Sequence, residues 1–383
     1  MRFLLFGTLM DPRSFAYNLA SNPASSKWLK GFVGGLVHGG SKVILCGHCY
    51  SQVWPKGKLR PGALEYLDHT IENRLVRFWN LPGLRYPSMG RGYHSEGLTA
   101  IQSEEIHAII TYNPYPWHVY AARKLRKKYN IPWVCLNLDF DDVGADWGIF
   151  LKNAGDADGH LFLSHWGYEN APVRNKIHLD SGVTSIPASY AAAKPADTIN
   201  IVYLGKLSKS GGLESLLKLP ERIDSQNVRF IYGGKGYPAA DQSLRALAQK
   251  DSRVEYLGFV EEAQVRDLFE RATIFLNPRD PDDVVNDMVF PSKIMEYLRY
   301  GKTVVSTWTK GLEPIYRDLL VVSTSPTPED FAQAVDYAVK ESLEQRQQRA
   351  SRIRSFLENS RLWSKQAQRF VEFSQSVIAD FKP

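Results

Sequence analysis

Four lysines stand beside glycines or at a helix start, in short stretches whose residue types suit the binding of an anion. Lys206 and Lys209 lie in YLGKLSKSGG, Lys235 in IYGGKGYP and Lys293 in FPSKIMEYLRYGKTVVST. The first two stretches follow strand-like runs and read as Gly-rich strand-to-helix turns, where backbone N–H groups and cations cradle phosphate. Gly233, Gly234 and Gly236 surround Lys235 in the second. In the third, Pro291 suits a first helical position because it loses no hydrogen bond there. Ser292 and Lys293 then set a hydroxyl and a cation beside the unpaired N–H groups of a helix start, the end that attracts anions. Glu296 interrupts the apolar run Ile294, Met295, Tyr297 and Leu298. One turn inside the helix, it can face whatever that start holds. Each stretch alone also fits an ordinary turn or a capped amphipathic helix. Together, at carboxyl ends of neighbouring strands, they predict a pocket for phosphates plus a hydroxyl-rich group.

The elements that must position these residues alternate. RFLLFG, KVILCG, LVRFWN, HAIITYN and PWVCLNLDF are strand-like in the first half. INIVYLG, VRFIYGG, VEYLGF, ATIFLNP, TVVST and LLVVST are strand-like in the second. All are short and mostly apolar, as buried parallel strands are. Helical patterns between them include 116–128, 262–272 and 328–341. The expected fold class is α/β, with two doubly wound Rossmann-like domains. IPASYAAAKPADTIN supplies the break. The predicted division is a first α/β domain over 1–186, a linker over 187–198, a second α/β domain over 199–360, and a helix over 361–383 packing back on the first domain. Ligands of open α/β sheets sit beyond the carboxyl ends of the strands, so two such domains facing each other predict a cleft.

Bulk properties narrow the class. The 383 residues are 44% hydrophobic and 23% charged, as in globular proteins. No run reaches the roughly 18 apolar residues of a membrane span. MRFLLFGTLM reads as a first strand rather than a signal peptide, because Asp11 and Pro12 follow it. Three cysteines argue against a disulfide framework and for a reducing, cytoplasmic setting. Residues 1–190 carry 20 Lys and Arg against 15 Asp and Glu, so the net charge of +6 sits mostly in this half. A basic half predicts an anionic neighbour. Without a zinc-finger spacing or RNA-binding signature, that neighbour is expected to be a lipid-linked substrate or an anionic membrane surface rather than nucleic acid.

Other candidates are weaker. Asp139, Asp141 and Asp142 follow a strand at its ligand-facing end, where a carboxylate could stabilise positive charge, accept a proton or serve only as a cap. His118, in a helical segment, faces either the cleft or the core. CGHC, residues 46–49, has thiol–disulfide spacing, but Pro55 and Gly57 follow instead of the helix such a site needs. Cys135 is the one remaining cysteine, too few for a zinc site. ARKLRKKYN clusters five cations on one helix, either a solvated face or a contact for lipid head groups.

The second half resembles the donor domain of GT-B glycosyltransferases, most closely glycosyltransferase family 4. The motifs occur in order as YLGKL, GGKG, VEYLGFV, FLNP, FPSKIMEYLRYGKTVVST and KGLEP. LVHGGSKVILCG and the stretch from IITYNP to CLNLD resemble the first half more loosely. The resemblance implies that Glu296 holds the nucleotide ribose. It puts the family's other glutamate at Met288, with Asp287 as the neighbouring substitute. Lys206 stands for the usual arginine of the phosphate turn, and Lys209 for a lysine that would fall on Gly211. Phe259 and Val260 would read the base through their backbone groups. The family's histidine after the fourth strand becomes Asn113. The resemblance further implies a UDP- or GDP-type sugar donor, retention of anomeric configuration and no bound metal or other cofactor. The expected function is sugar transfer to a glycan or lipid-linked acceptor in cell-surface polysaccharide biosynthesis, in the cytoplasm or peripherally on the membrane's inner face. A nucleotide-sugar epimerase and a degenerate nucleotide-sugar binder are the rivals. The aromatic, basic first half favours a transferase, since an epimerase has no second substrate.

Overall fold

The computed structural model describes residues 1–9, 23–62, 71–138, 147–187, 198–280, 282–323, 325 and 327–382. They form two compact units, Met1–Thr184 with Leu362–Pro383, and Ser185–Arg361.

The first unit holds seven strands: β1 (Arg2–Phe6), β2 (Lys42–Gly47), β3 (Glu72–Leu75), β4 (Ala108–Tyr112), β5 (Trp133–Asn137), β6 (Gly159–Phe162) and β7 (Lys176–His178). They pair in the order β3-β2-β1-β4-β5-β6-β7. Every pairing is parallel. The helices are α1 (Pro23–His38), α2 (Arg85–Ser103), α3 (Pro116–Tyr129), α4 (Trp147–Ala154) and α5 (His165–Asn170). The core strands β1, β4 and β5 are buried along almost their whole length, which is why their sequences lack polar alternation. LVRFWN departs from expectation, because the ladder takes in only its first residue. Beyond it, Asn80 turns away: its amide donates to the Leu59 carbonyl (2.9 Å), and its own carbonyl accepts from the Trp54 amide (3.1 Å).

The chain returns to this unit through its last helix, Trp363–Asp380, which packs on α1. Trp363 meets Trp28 edge-on at 5.4 Å, and Phe370 meets Phe32 at 4.9 Å. Gly35 makes that approach feasible, since a Cβ there would lie 2.4 Å from the Trp363 carbonyl oxygen.

The second unit holds β8 (Ile199–Leu207), β9 (Val228–Gly236), β10 (Val254–Tyr256), β11 (Ile274–Asn277), β12 (Thr303–Thr307) and β13 (Val321–Ser323). Their order is β10-β9-β8-β11-β12-β13, again parallel throughout. Its helices are α6 (Leu213–Lys218), α7 (Pro238–Lys250), α8 (Glu262–Arg271), α9 (Val284–Met288), α10 (Lys293–Leu298), α11 (Pro328–Lys340) and α12 (Leu343–Phe356), so Trp363–Asp380 is α13. Phe230, Tyr232, Leu244, Ile274, Phe331 and Val335 anchor its core. In both sheets the order reverses beside the first strand, and such a reversal is where open α/β sheets bind ligands.

Candidate functional site

In the second unit, four segments converge at the carboxyl ends of β8, β9 and β10. Strands β8 and β9 stay paired well past the buried sheet, through Gly205↔Gly234, Lys206↔Lys235 and Leu207↔Gly236. Lys206 and Lys235 are therefore strand residues, which corrects the expectation of Gly-rich turns around them. Glycine is what allows the extension: at Gly234 (φ 147°) a Cβ would stand 1.8 Å from the Gly205 carbonyl oxygen. The Gly234 amide also donates to the Gly258 carbonyl at 2.7 Å, and Val260 packs at Gly233. Thus Gly233, Gly234 and the segment 258–260 form one surface. Phe259 on it is 67% exposed.

Two cations on this surface have no carboxylate partner among the described residues. Partners on adjacent parallel strands stand about 4.8 Å apart and point to the same face. Lys206 and Lys235 are such partners, both exposed, and no ion pair to either occurs among the described residues. Like charges so placed repel unless an anion joins them. Lys209 is also exposed, in the turn closed by the Gly212 amide donating to its carbonyl (2.8 Å). The buried Tyr203 hydroxyl fixes this turn, donating to the Lys206 carbonyl at 2.8 Å and lying 3.4 Å from that of Gly211.

Helix α10 supplies the other side. It begins at Lys293 rather than Pro291: the Ile294 amide donates to the Pro291 carbonyl, and the Ser292 side chain makes no capping bond. Boundaries of short helices shift by a residue or two in this way. Lys293 lies against Gly205, where its Cε would be 3.4 Å from an added Cβ, and its Nζ lies 3.7 Å from Glu296 Oε2. Lys293 and Glu296 are half-exposed, so both reach the same surface as Lys206.

What holds α10 there is Tyr297, which in the sequence reads only as one member of the helix's apolar run. Strand β11 pairs with β8 only at Ile201 and Val202, leaving the next edge of β8 without a strand. The Tyr297 hydroxyl takes that place, accepting from the Leu204 amide (3.3 Å) and donating to its carbonyl (3.1 Å). Its ring stacks on Phe275 at 4.3 Å. The signal in the sequence is the hydroxyl itself, since a buried tyrosine needs a partner. Arg279, after β11, is a second residue that sequence reasoning passed over. Burial pushes the Tyr203 hydroxyl up to about 12, and the Arg279 guanidinium opposes that rise.

Two predicted residues have other partners. Asp287 accepts from the Lys310 amide (3.0 Å) and from its Nζ (2.8 Å), and Met288 beside it is buried. Asn113 sits at φ 58°, a conformation asparagine tolerates. It is buried after β4, with Oδ1 accepting from the Leu138 amide (2.9 Å) and Nδ2 donating to the Tyr115 hydroxyl (3.3 Å). Asp139, Asp141 and Asp142 lie outside the described residues.

The carboxyl ends of β1, β2 and β4 carry a separate aromatic cluster. His48 pairs with the Tyr93 hydroxyl at 2.7 Å, and its amide donates to Thr8 Oγ1. His118 Nδ1 donates to the Tyr112 carbonyl at 2.9 Å, leaving Nε2 buried with no partner among the described residues. Burial lowers both imidazoles to about 3. His48, within CGHC, thus ties that motif to the aromatic cluster. Cys46 is a buried strand residue whose thiol burial pushes up, and it is unpaired. Trp117 stacks between Tyr86 (5.0 Å) and Tyr115 (4.9 Å). Among the described residues no group of three His, Cys, Asp or Glu is arranged to hold a metal.

Comparison with known proteins agrees with this geometry. The family model "Glycosyl transferases group 1" matches residues 198–341, the segment that carries the lysines and α10. The gpi3 subunit of phosphatidylinositol N-acetylglucosaminyltransferase from Schizosaccharomyces pombe is 25% identical over 217 residues, 52% of this chain and 46% of that protein. Glycogen synthase of Natranaerobius thermophilus is 24% identical, over 55% of this chain and 42% of its own. The chain thus spans about half the length of the curated relatives it matches. Anabaena HepE, solved with UDP and glucose, superposes over 98% of this chain and 100% of its own with a TM-score of 0.66 at 15% identity, a likeness of fold. Residues 198–341 are thus similar to the glycosyl transferases group 1 family, and the chain carries a GT-B fold of two parallel-sheet α/β domains.

Proposed function

We propose that the protein moves a sugar from a nucleoside diphosphate of the UDP or GDP type to a glycan or lipid-linked acceptor, with retention of configuration, in the assembly of a surface polysaccharide. The observation that carries this reading is the in-register Lys206–Lys235 pair, with Lys293 and Glu296 beside it. Adjacent cations with no ion-paired carboxylate among the described residues suit a diphosphate, and the Glu296 carboxylate suits ribose hydroxyls. HepE's UDP and glucose support the donor class, and the Schizosaccharomyces relative's name supports a lipid acceptor.

In this reaction the bond between the anomeric carbon and the diphosphate oxygen breaks, and an acceptor hydroxyl oxygen bonds to that carbon. Lys206 and Lys293 stabilise the charge that grows on the leaving diphosphate, usually the largest catalytic contribution, so no metal is required. Retention brings the acceptor to the face the diphosphate leaves, where the departing phosphate oxygen can take the hydroxyl proton. That route needs no protein base, which fits the amide at Asn113 and the Lys310-bound carboxylate of Asp287. Asp139 remains the candidate for stabilising positive charge on the sugar. The basic, aromatic first unit takes the acceptor.

Incubation with labelled UDP- and GDP-sugars plus glycan and lipid-linked acceptors tests the proposal. A labelled acceptor, formed equally well in chelator, is the expected product. An isomerised donor would make the protein an epimerase, and nucleotide binding without any product would make it a binder.

A further inference from the structure

The segments 51–62 and 76–91 of the first unit are laced together at the surface. Besides the Asn80 backbone bonds, Asn80 Nδ2 donates to the carbonyls of Gln52 (2.6 Å) and Lys58 (2.9 Å), and Arg85 Nη1 donates to that of Ser51 (2.9 Å). The resulting strap exposes Val53, Trp54, Leu59, Trp79, Leu84 and Tyr86, each between 39% and 56% accessible. The two segments contain six cations, Lys56, Lys58, Arg60, Arg77, Arg85 and Arg91, and no carboxylate. Glu65 and Asp68, between the segments, lie outside the described residues. Lys56, Lys58, Arg77 and Arg91 make no ion pair among the described residues, and Arg60 lies over the Trp79 ring at 3.5 Å.

We propose that this strap docks the protein on an anionic lipid bilayer. Exposed tryptophan and tyrosine favour the depth of lipid head groups. Val53, Leu59 and Leu84 gain by entering the acyl region, and the surrounding cations meet the negative surface. A glycan-binding face would call for carboxylates and amides and would gain little from bare aliphatic side chains. The proposal deepens, and rests on, the reading of a lipid-linked acceptor. Tyr86 gives continuity between the two, since it belongs to the strap and also stacks on Trp117.

It also relocates the membrane contact that the sequence suggested for ARKLRKKYN on α3. Arg123 is ion-paired with Asp156 and Arg126 with Asp158, each at 2.6 Å, while Lys124 donates to the Tyr120 hydroxyl. Only Lys127 and Lys128 of that run are without a hydrogen bond or carboxylate partner among the described residues.

The test floats the full chain with phosphatidylcholine vesicles, with and without phosphatidylglycerol. Wild type is expected to bind the anionic vesicles and to leave them in high salt. Lys56→Glu with Lys58→Glu should weaken binding at least about tenfold, and Trp54→Ser with Leu84→Ser by a similar factor. Lys127→Glu with Lys128→Glu should change it much less. All these side chains are exposed, so unchanged melting confirms that the variants are folded. If wild type binds and the α3 variant alone detaches, the strap assignment is wrong while the membrane reading stands. If wild type binds neither vesicle, the membrane proposal falls. In that case, quenching of tryptophan fluorescence by added maltooligosaccharide, lost in the Trp54 variant, would assign the strap to a glycan.

Discussion

At the scale of single residues, the Lys293–Glu296 pair separates a ligand site from an ordinary helix surface. Both side chains are about a third exposed and 3.7 Å apart, and such ion pairs contribute roughly 0–1 kcal/mol to folding. Glu296→Ala should therefore leave melting nearly unchanged, since alanine is at least as good a helix former. The same change should weaken nucleoside diphosphate binding by roughly 1–3 kcal/mol, because ribose hydroxyls lose their acceptor. Glu296→Gln should cost less, since it keeps one acceptor oxygen. A lower melting temperature with unaltered affinity would mean that Glu296 is structural. The buried imidazoles make a different prediction. His48 and His118 protonate near 3 in the fold, against about 6.5 when exposed. Between those values the unfolded chain binds more protons, so stability falls as pH drops from 6.5 toward 3. Each histidine should contribute a slope of about 1.4 kcal/mol per pH unit there. His48→Gln with His118→Gln should flatten the slope of denaturation free energy against pH, and an unchanged slope would place the titrating groups elsewhere.

At the scale of elements, Tyr297 positions α10 through the bare edge of β8. Tyr297→Phe keeps the stack on Phe275 and removes only the hydroxyl. It should cost about 1–3 kcal/mol of stability, because the buried Leu204 amide and carbonyl lose their partner. If α10 owes its place to this bond, diphosphate affinity should fall as well, and stability loss alone would confine Tyr297 to the core. Much at this scale was legible in the sequence. Short, mostly apolar runs marked β1, β2, β4, β5 and the second-unit strands, because strands buried on both faces leave no other pattern. β6 (GHLF) and β7 (KIH) escaped because they are only four and three residues long and each carries a histidine. His160 is buried all the same, lowered to about 4 by that burial. Motif order grouped Lys206, Lys235, Gly233 and Lys293 as one candidate site, and the structure sets these residues beside one another. What it did not convey was the continued β8–β9 pairing, which depends on the close approach of Gly205 and Gly234, or the Tyr297 bond, which depends on where β11 stops.

At the scale of the whole molecule, the chain divides its chemistry. The family match, the Lys206–Lys235 pair and α10 all lie in the second unit, while the aromatic cluster and most of the net positive charge lie in the first. If the second unit is the donor domain, nucleotide recognition depends on its residues and is indifferent to first-unit changes such as Cys46→Ser with Cys49→Ser. The most direct measurement is calorimetric titration of the full chain with UDP and GDP, repeated on Lys206→Ala, Lys293→Ala and the double cysteine variant. One of the two nucleotides should bind wild type and the cysteine variant alike. Each lysine change should weaken that binding by roughly 1.5–3 kcal/mol, the usual worth of a charge-assisted bond. Binding of neither nucleotide to wild type, or equal affinity in both lysine variants, would contradict the assignment of the donor site.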